Sequence, residues 1–208
     1  CVALQSVELE TGMTKIPDNL FASCPGFTTI TIPDTVTEIG SSALEGTNLT
    51  SIVIPDTVTE IGGSAFSACK QLSTVQLSNN LTKLGECAFS DCTSLTSIRI
   101  PKSLETAAYW YGGPFAGCLA LQTAELETGM TRIPDNLFSA CSGLKTITIP
   151  DTVTEIGSDA FSRSNLSTIA IPDTVTEIGS DAFSDCKQLS TVQLSNNLVK
   201  LGSSAFSD

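Results

Sequence analysis

The chain has 208 residues, 41% apolar and 15% charged, and its 22 acidic against 10 basic residues give a net charge of −12. That balance argues against a phosphate backbone or an anionic membrane surface as partner, and no apolar run reaches the roughly 18 residues that a bilayer span requires. Histidine is absent, which removes the usual general base, the usual nucleophile activator and the commonest metal ligand together.

From the N-terminus onward one pattern keeps returning. Its first apolar anchor is Leu9, followed by Ile32, Ile54, Leu77, Ile100, Leu126, Ile149, Ile171 and Leu194, at spacings of 23, 22, 23, 23, 26, 23, 22 and 23. The nine letters of residues 32–40, IPDTVTEIG, recur unchanged at 54–62, 149–157 and 171–179. Fixed spacing in this range is the signature of a solenoid. Residues 1–208 are therefore expected to form a single solenoid domain of about nine units of 22–26 residues. Cys1 stands at the repeat position of Cys24, and Ala205-Phe206-Ser207-Asp208 opens a further unit. With no polar capping repeat at either end, a fragment of a longer protein is expected.

A full unit reads as a strand, a turn, a shorter extended segment and a closing turn. In residues 72–77 apolar and polar side chains alternate, the mark of a strand with one buried face, and Leu72, Val75 and Leu77 are expected to point inward. Pro33, Pro55, Pro150 and Pro172 follow this strand directly, and each Pro-Asp pair favours a turn. The second extended segment, residues 36–39 and its copies, stops at a glycine: Gly40, Gly62, Gly85, Gly157, Gly179 or Gly202. Glycine at a fixed place implies either a positive φ or a close backbone approach. Ala-Phe then packs inward in a turn or short helical segment. Seven of the eight cysteines (1, 24, 69, 92, 118, 141 and 186) share one repeat position, as a buried column of small side chains would. Cys87 stands instead where Ser42 and Ser64 stand, a place read as nearer solvent and a candidate reactive thiol.

The pattern Leu-x-x-Ile-x-Ile-Pro-x-x-Val-x-x-Ile-Gly-x-x-Ala-Phe-x-x-Cys of residues 49–69 resembles the leucine-rich repeats of the BspA-like family, and the resemblance extends over essentially the whole chain. It implies a β-rich α/β leucine-rich-repeat solenoid, right-handed, with a parallel sheet on one face and short strands, turns and helical segments on the other. It further implies a secreted or surface-attached protein of a host-associated bacterium or protozoan, concerned with adhesion or protein binding. The family carries no catalytic motif to transfer. The units anchored at Ile32 and Ile149 lack the Cys and one residue, and those anchored at Leu9 and Leu126 have Ile16-Pro17 and Ile133-Pro134 in place of Ile-Gly.

Residues 1–91 and 118–208 are near-copies related by a shift of 117, with an irregular junction at 101–117. The outward positions of the first strand give two columns. One is a hydroxyl in every unit, including Thr74, Ser97 and Thr123; the other varies in charge and size and includes Gln76, Arg99 and Glu125. The junction brings the only Trp and both Tyr residues together as Tyr109-Trp110-Tyr111, amphipathic rings of the kind that dominate binding surfaces. These nine residues are the candidate ligand-binding set. No catalytic residue, metal site or cofactor is expected. Asp34, Asp56, Asp151 and Asp173, with Glu38, Glu60, Glu155 and Glu177, form acidic rows that bear on calcium only as a minor alternative to ordinary turn chemistry. The expected function is a non-catalytic, extracellular or cell-surface module that binds a protein or glycan on host or neighbouring cells, with neither nucleic acid as ligand nor membrane insertion. The alternative is a structural spacer that displays another domain and binds nothing itself.

Overall fold

The computed structural model describes residues 1, 3–107 and 112–208, and each unit supplies two short strands. The first strands are β1 (Ser6–Glu8), β3 (Thr29–Thr31), β5 (Ser51–Val53), β7 (Thr74–Gln76), β9 (Ser97–Ile100), β11 (Thr123–Leu126), β13 (Thr146–Thr148), β15 (Thr168–Ala170) and β17 (Thr191–Gln193). The second strands are β2 (Lys15–Ile16), β4 (Glu38–Ile39), β6 (Glu60–Ile61), β8 (Lys83–Leu84), β10 (Thr106–Ala107), β12 (Arg132–Ile133), β14 (Glu155–Ile156), β16 (Glu177–Ile178) and β18 (Lys200–Leu201). All ladders are parallel and in register from one unit to the next, so equivalent residues lie in columns.

The ladders do not run unbroken. The first column divides into β1-β3, β5-β7, β9-β11-β13 and β15-β17, and the second into a five-stranded sheet, β2 to β10, and a four-stranded sheet, β12 to β18. Two of the three interruptions in the first column follow the units anchored at Ile32 and Ile149, which are one residue short. Among the described residues, the interruption in the second column falls at the irregular junction.

The third side of each coil corrects the sequence reading. No helix is present among the described residues, and the fold is a parallel-strand β-solenoid rather than an α/β one. The Ala-Phe segments are tight turns in which a residue with positive φ comes before the Phe or equivalent and another after it: Asn19 and Ser23, Ser64 and Ala68, Asn136 and Ala140, Asp159 and Arg163. A left-handed residue cannot continue a helix. It turns its N–H toward the next coil instead, as Ala68 N does to Ser90 O and Ala140 N to Ser162 O, at 2.8 and 2.7 Å. The intervening Phe does the same, Phe66 N donating to Ala88 O at 2.7 Å. The backbone thus bonds between coils on all three sides, which satisfies groups that a helix would have satisfied within itself.

Between these sides the apolar residues form one core. Phe66, Phe89, Phe115, Phe138, Phe161, Phe183 and Phe206 stack in sequence at centroid separations of 4.9 to 5.8 Å, and all but Phe206 are buried. Leu72, Val75 and Leu77 are buried, as the alternation predicts. The repeated glycines resolve to close approach. A Cβ on Gly62 would lie 2.6 Å from Ser41 N, and one on Gly85 would collide with Gly63 N and the Gly62 carbonyl carbon. Among the described residues, positive φ at glycine is found at Gly46, Gly117 and Gly129.

Candidate functional site

The face of the first strands carries six of the nine candidate residues. In each three-residue strand the two outer side chains are exposed and the middle one turns to the core. Thr74 and Gln76 on β7 are exposed and pair in register with Ser51 and Val53. Ser97 and Arg99 on β9 pair with Thr123 and Glu125 on β11. These four exposed residues line a shallow hollow of about 240 Å³, which adjoins another of about 320 Å³ lined by Gln76, Asn79, Arg99 and Pro101. Arg99 belongs to both. Tyr109, Trp110 and Tyr111 lie outside the described residues.

Arg99 is the most engaged side chain of this face. Its Nε lies 3.5 Å from Glu125 Oε1, its Nη2 3.1 Å from Glu127 Oε1, and its Nη1 donates to Asn79 Oδ1 at 3.2 Å. Sequence reasoning missed Asn79 and Glu127. A signal for Glu127 was available, because it occupies the place held by proline in five other units, one strand away from the arginine. Freed of proline, Glu127 N donates to Ile100 O, and its carboxylate also accepts from Lys102 N.

Two aspartates of the first acidic row, and all four glutamates of the second, have partners within the chain. Asp56 Oδ1 accepts from Asn79 N at 2.8 Å, and Asp173 Oδ1 from Asn196 N at 2.8 Å. These backbone N–H groups, then the asparagine side chains, hold both carboxyls below the usual carboxylate range. On the second sheet, adjacent glutamates are flanked by cations. Lys15 pairs with Glu38 at 2.6 Å and Lys83 with Glu60 at 3.3 Å, while Arg132 and Lys200 take the same places around Glu155 and Glu177.

The cysteine column is buried from Cys24 to Cys186, with every thiol free. It is not purely apolar. Cys92 Sγ donates to Phe66 O at 3.2 Å and Cys118 Sγ to Phe89 O at 3.0 Å, each reaching back one coil. In the two units without Cys, Thr47 and Ser164 continue the column and meet Cys69 and Cys186 at 3.2 and 3.4 Å. Burial pushes the Cys118 thiol up to about 12 and those of Cys69, Cys92 and Cys141 upward as well. Cys87 is half-buried, its Sγ is 3.8 Å from Gly112 O, and burial raises its pKa too. A raised pKa means less thiolate and so a weaker nucleophile at Cys87, while its partial exposure agrees with the sequence reading of a place nearer solvent.

Stacked parallel strands, in-register columns and inter-coil turns define a leucine-rich-repeat solenoid. The BspA type leucine rich repeat profile, in six copies, matches residues 1–111 and 112–208, and the chain belongs to that family. It is similar to a leucine rich cell surface protein from Faecalibacterium prausnitzii A2-165, at 32% identity and a TM-score of 0.54. The match covers 91% of this chain and 59% of that one, so the chain spans little more than half the length of this relative. The T. pallidum leucine rich repeat protein matches at 25% identity over 95% of this chain and 72% of its own, with a TM-score of 0.51. A leucine-rich repeat protein from Eubacterium ventriosum shares the fold at 21% identity, covering 98% of this chain and 82% of its own, with a TM-score of 0.55. No curated protein is a significant match.

Proposed function

We propose that the chain is a non-catalytic module, displayed on the cell surface or secreted, that binds a protein or glycan of host or neighbouring cells through the face of its first strands. The observation that carries this reading is the pairing of a constant column with a varied one on a single exposed surface. Thr74, Ser97 and Thr123 supply a hydroxyl per unit, each a donor and an acceptor, while Gln76, Arg99 and Glu125 change charge and shape from unit to unit. Repetition suits an extended ligand, and variation suits discrimination among ligands. The surface location draws support from the description of the F. prausnitzii relative as a cell surface protein. Among the described residues no helix is long and apolar enough to cross a membrane.

The rival reading, a spacer that binds nothing, is favoured by one observation: Arg99 already has three partners within its own chain. Immobilised chain exposed to extracellular-matrix proteins, host-cell surface proteins and glycans separates the two. Saturable binding that weakens in Arg99→Ala supports the first-strand face. Weakening confined to Trp110→Ala moves the site to the junction, and the lack of any binding across the panel gives the spacer reading.

A further inference from the structure

The duplicated halves of the chain differ at one informative place on the first-strand face. Between β13 and β15, where the ladder is interrupted, lies an open hollow of about 330 Å³. Its apolar floor is formed by Ala170, Ile171 and Pro172, its rim carries the exposed carboxylates of Asp151 and Asp173, and Thr148 and Gln193 border it. Every residue that lines it has an identical counterpart 117 positions earlier, with one exception: Ala170 stands where Val53 stands. Val53 is 59% exposed on β5, and its side chain carries two carbon atoms that Ala170 lacks. The two halves therefore differ there only in the size of one exposed side chain, the smaller one standing at the open hollow.

Its chemistry selects the occupant. No basic residue lines it, Asp173 is held in place by Asn196 N and Nδ2 at 2.8 and 3.1 Å, and the chain carries a net charge of −12. Asn196 Nδ2 also reaches Asp173 Oδ2 at 3.2 Å, and a carboxylate accepting three such contacts keeps a lone pair for a further donor. An apolar floor with a carboxylate rim matches a long methylene stem that ends in a cation. We propose that the hollow at Ala170 receives a lysine or arginine side chain presented by an extended segment of a partner polypeptide, and that Val53 closes the equivalent site in the first half. This deepens the reading of the first-strand face as a binding surface and rests on it.

The test uses two substitutions that leave charge unchanged and that each install the residue already present in the other half. Nα-acetyl-lysine N-methylamide is titrated into the isotope-labelled chain while backbone amide shifts are followed by NMR. The shifts are expected at residues 147–149, 170, 171, 173 and 193. Ala170→Val should weaken the affinity there by about tenfold or more, the worth of one well-made contact. Val53→Ala should add a second set of shifts at residues 30–32, 53, 54, 56 and 76. The norleucine analogue, which keeps the stem and lacks the ammonium, should leave both sets of residues unmoved. Lysine-induced shifts that persist unchanged in Ala170→Val, or no new set in Val53→Ala, would overturn the proposal, as would equal binding of the norleucine analogue or of N-acetylglucosamine. A macromolecular ligand retained by Ala170→Val with full affinity sinks this inference alone. Lysine binding at the hollow with no macromolecular ligand in the panel sinks the broader reading alone.

Discussion

Phe89→Ala probes the stacked core most directly. Phe89 is fully buried, with the Phe66 ring 4.9 Å away on one side and the Phe115 ring 5.6 Å away on the other. Truncation forfeits the transfer free energy of a large side chain, about 1.5–3 kcal/mol, and two stacked contacts worth about 0.5–1.5 kcal/mol each. The neighbouring coils are pinned by inter-coil hydrogen bonds from Phe66 N to Ala88 O and from Phe89 N to Pro114 O, so the cavity cannot close, and the expected loss is about 3–5 kcal/mol. Two controls give the number its meaning. Phe206→Ala removes a ring that is 36% exposed and has a single described stacking neighbour, Phe183 at 5.1 Å, and should cost clearly less. Phe89→Leu installs the residue that Leu44 already supplies to this column but gives up both ring stacks, and should cost about 1–3 kcal/mol, less than Phe89→Ala. Urea unfolding followed by circular dichroism, with the m-value checked for constancy, measures all three. A loss below about 1 kcal/mol for Phe89→Ala, or one no larger than that of Phe206→Ala, would refute the assignment of this ring to a closed core.

Gly85→Ala drives a Cβ into the Gly62–Gly63 backbone and should destabilise by about 1–3 kcal/mol in the same assay, whereas Gly12→Ala, with open space around it, should be close to neutral. Thiol labelling at pH 8 should leave Cys69, Cys92, Cys118 and Cys141 unmodified until the chain is denatured; rapid native labelling would show that the column opens. Because burial raises the Cys118 pKa to about 12 from an unfolded value of about 8.5, its contribution is intact below the lower figure and is lost as pH rises toward the upper one. Asp56 and Asp173 are shifted the opposite way, so their contribution is intact above the unfolded carboxylate value and is lost as pH falls through the lowered folded one. The double variant Asp56→Ala/Asp173→Ala should therefore show a flatter loss of stability in acid than the parent. Arg99→Ala breaks an exposed pair with Glu125, a half-buried one with Glu127 and a hydrogen bond to Asn79, and should cost about 1–2 kcal/mol, small enough for the fold to persist in its binding test.

The first-strand columns were legible because strand alternation has a period of two: once Val75 and Leu77 are inward, Thr74 and Gln76 must be outward. The glycine column was legible as a constraint and resolved only with coordinates, since close approach and positive φ leave the same mark in a sequence. The turn side was not legible. Left-handed positions are ordinarily announced by Gly or Asn, yet here Ala68, Ala140, Cys87 and Arg163 adopt φ between 51 and 56°. Ala-Phe flanked by Ser and Asp reads equally well as a helical turn. What decides the matter is the carbonyl of the next coil, a partner some 22 residues away that local propensity cannot represent. The engagement of Arg99 escaped for a related reason. Glu125 is its ladder partner and could be inferred, but Asn79 and Glu127 approach it from turns that period-two counting does not place.

The interruptions in the two strand columns fall in different layers of the stack, much as the joints of a brick wall are offset from course to course. Where β3 and β5, β7 and β9, or β13 and β15 part company, the second strands of those same coils remain bonded to one another; where β10 and β12 part, β9 and β11 hold in four-residue register. A crack that starts at one seam therefore meets an intact ladder on the next side of the coil. The halves that resemble each other in sequence should accordingly not hinge or peel apart at their junction, and a load applied along the stack axis should be carried through it by the first sheet, past the place where the sequence is least regular.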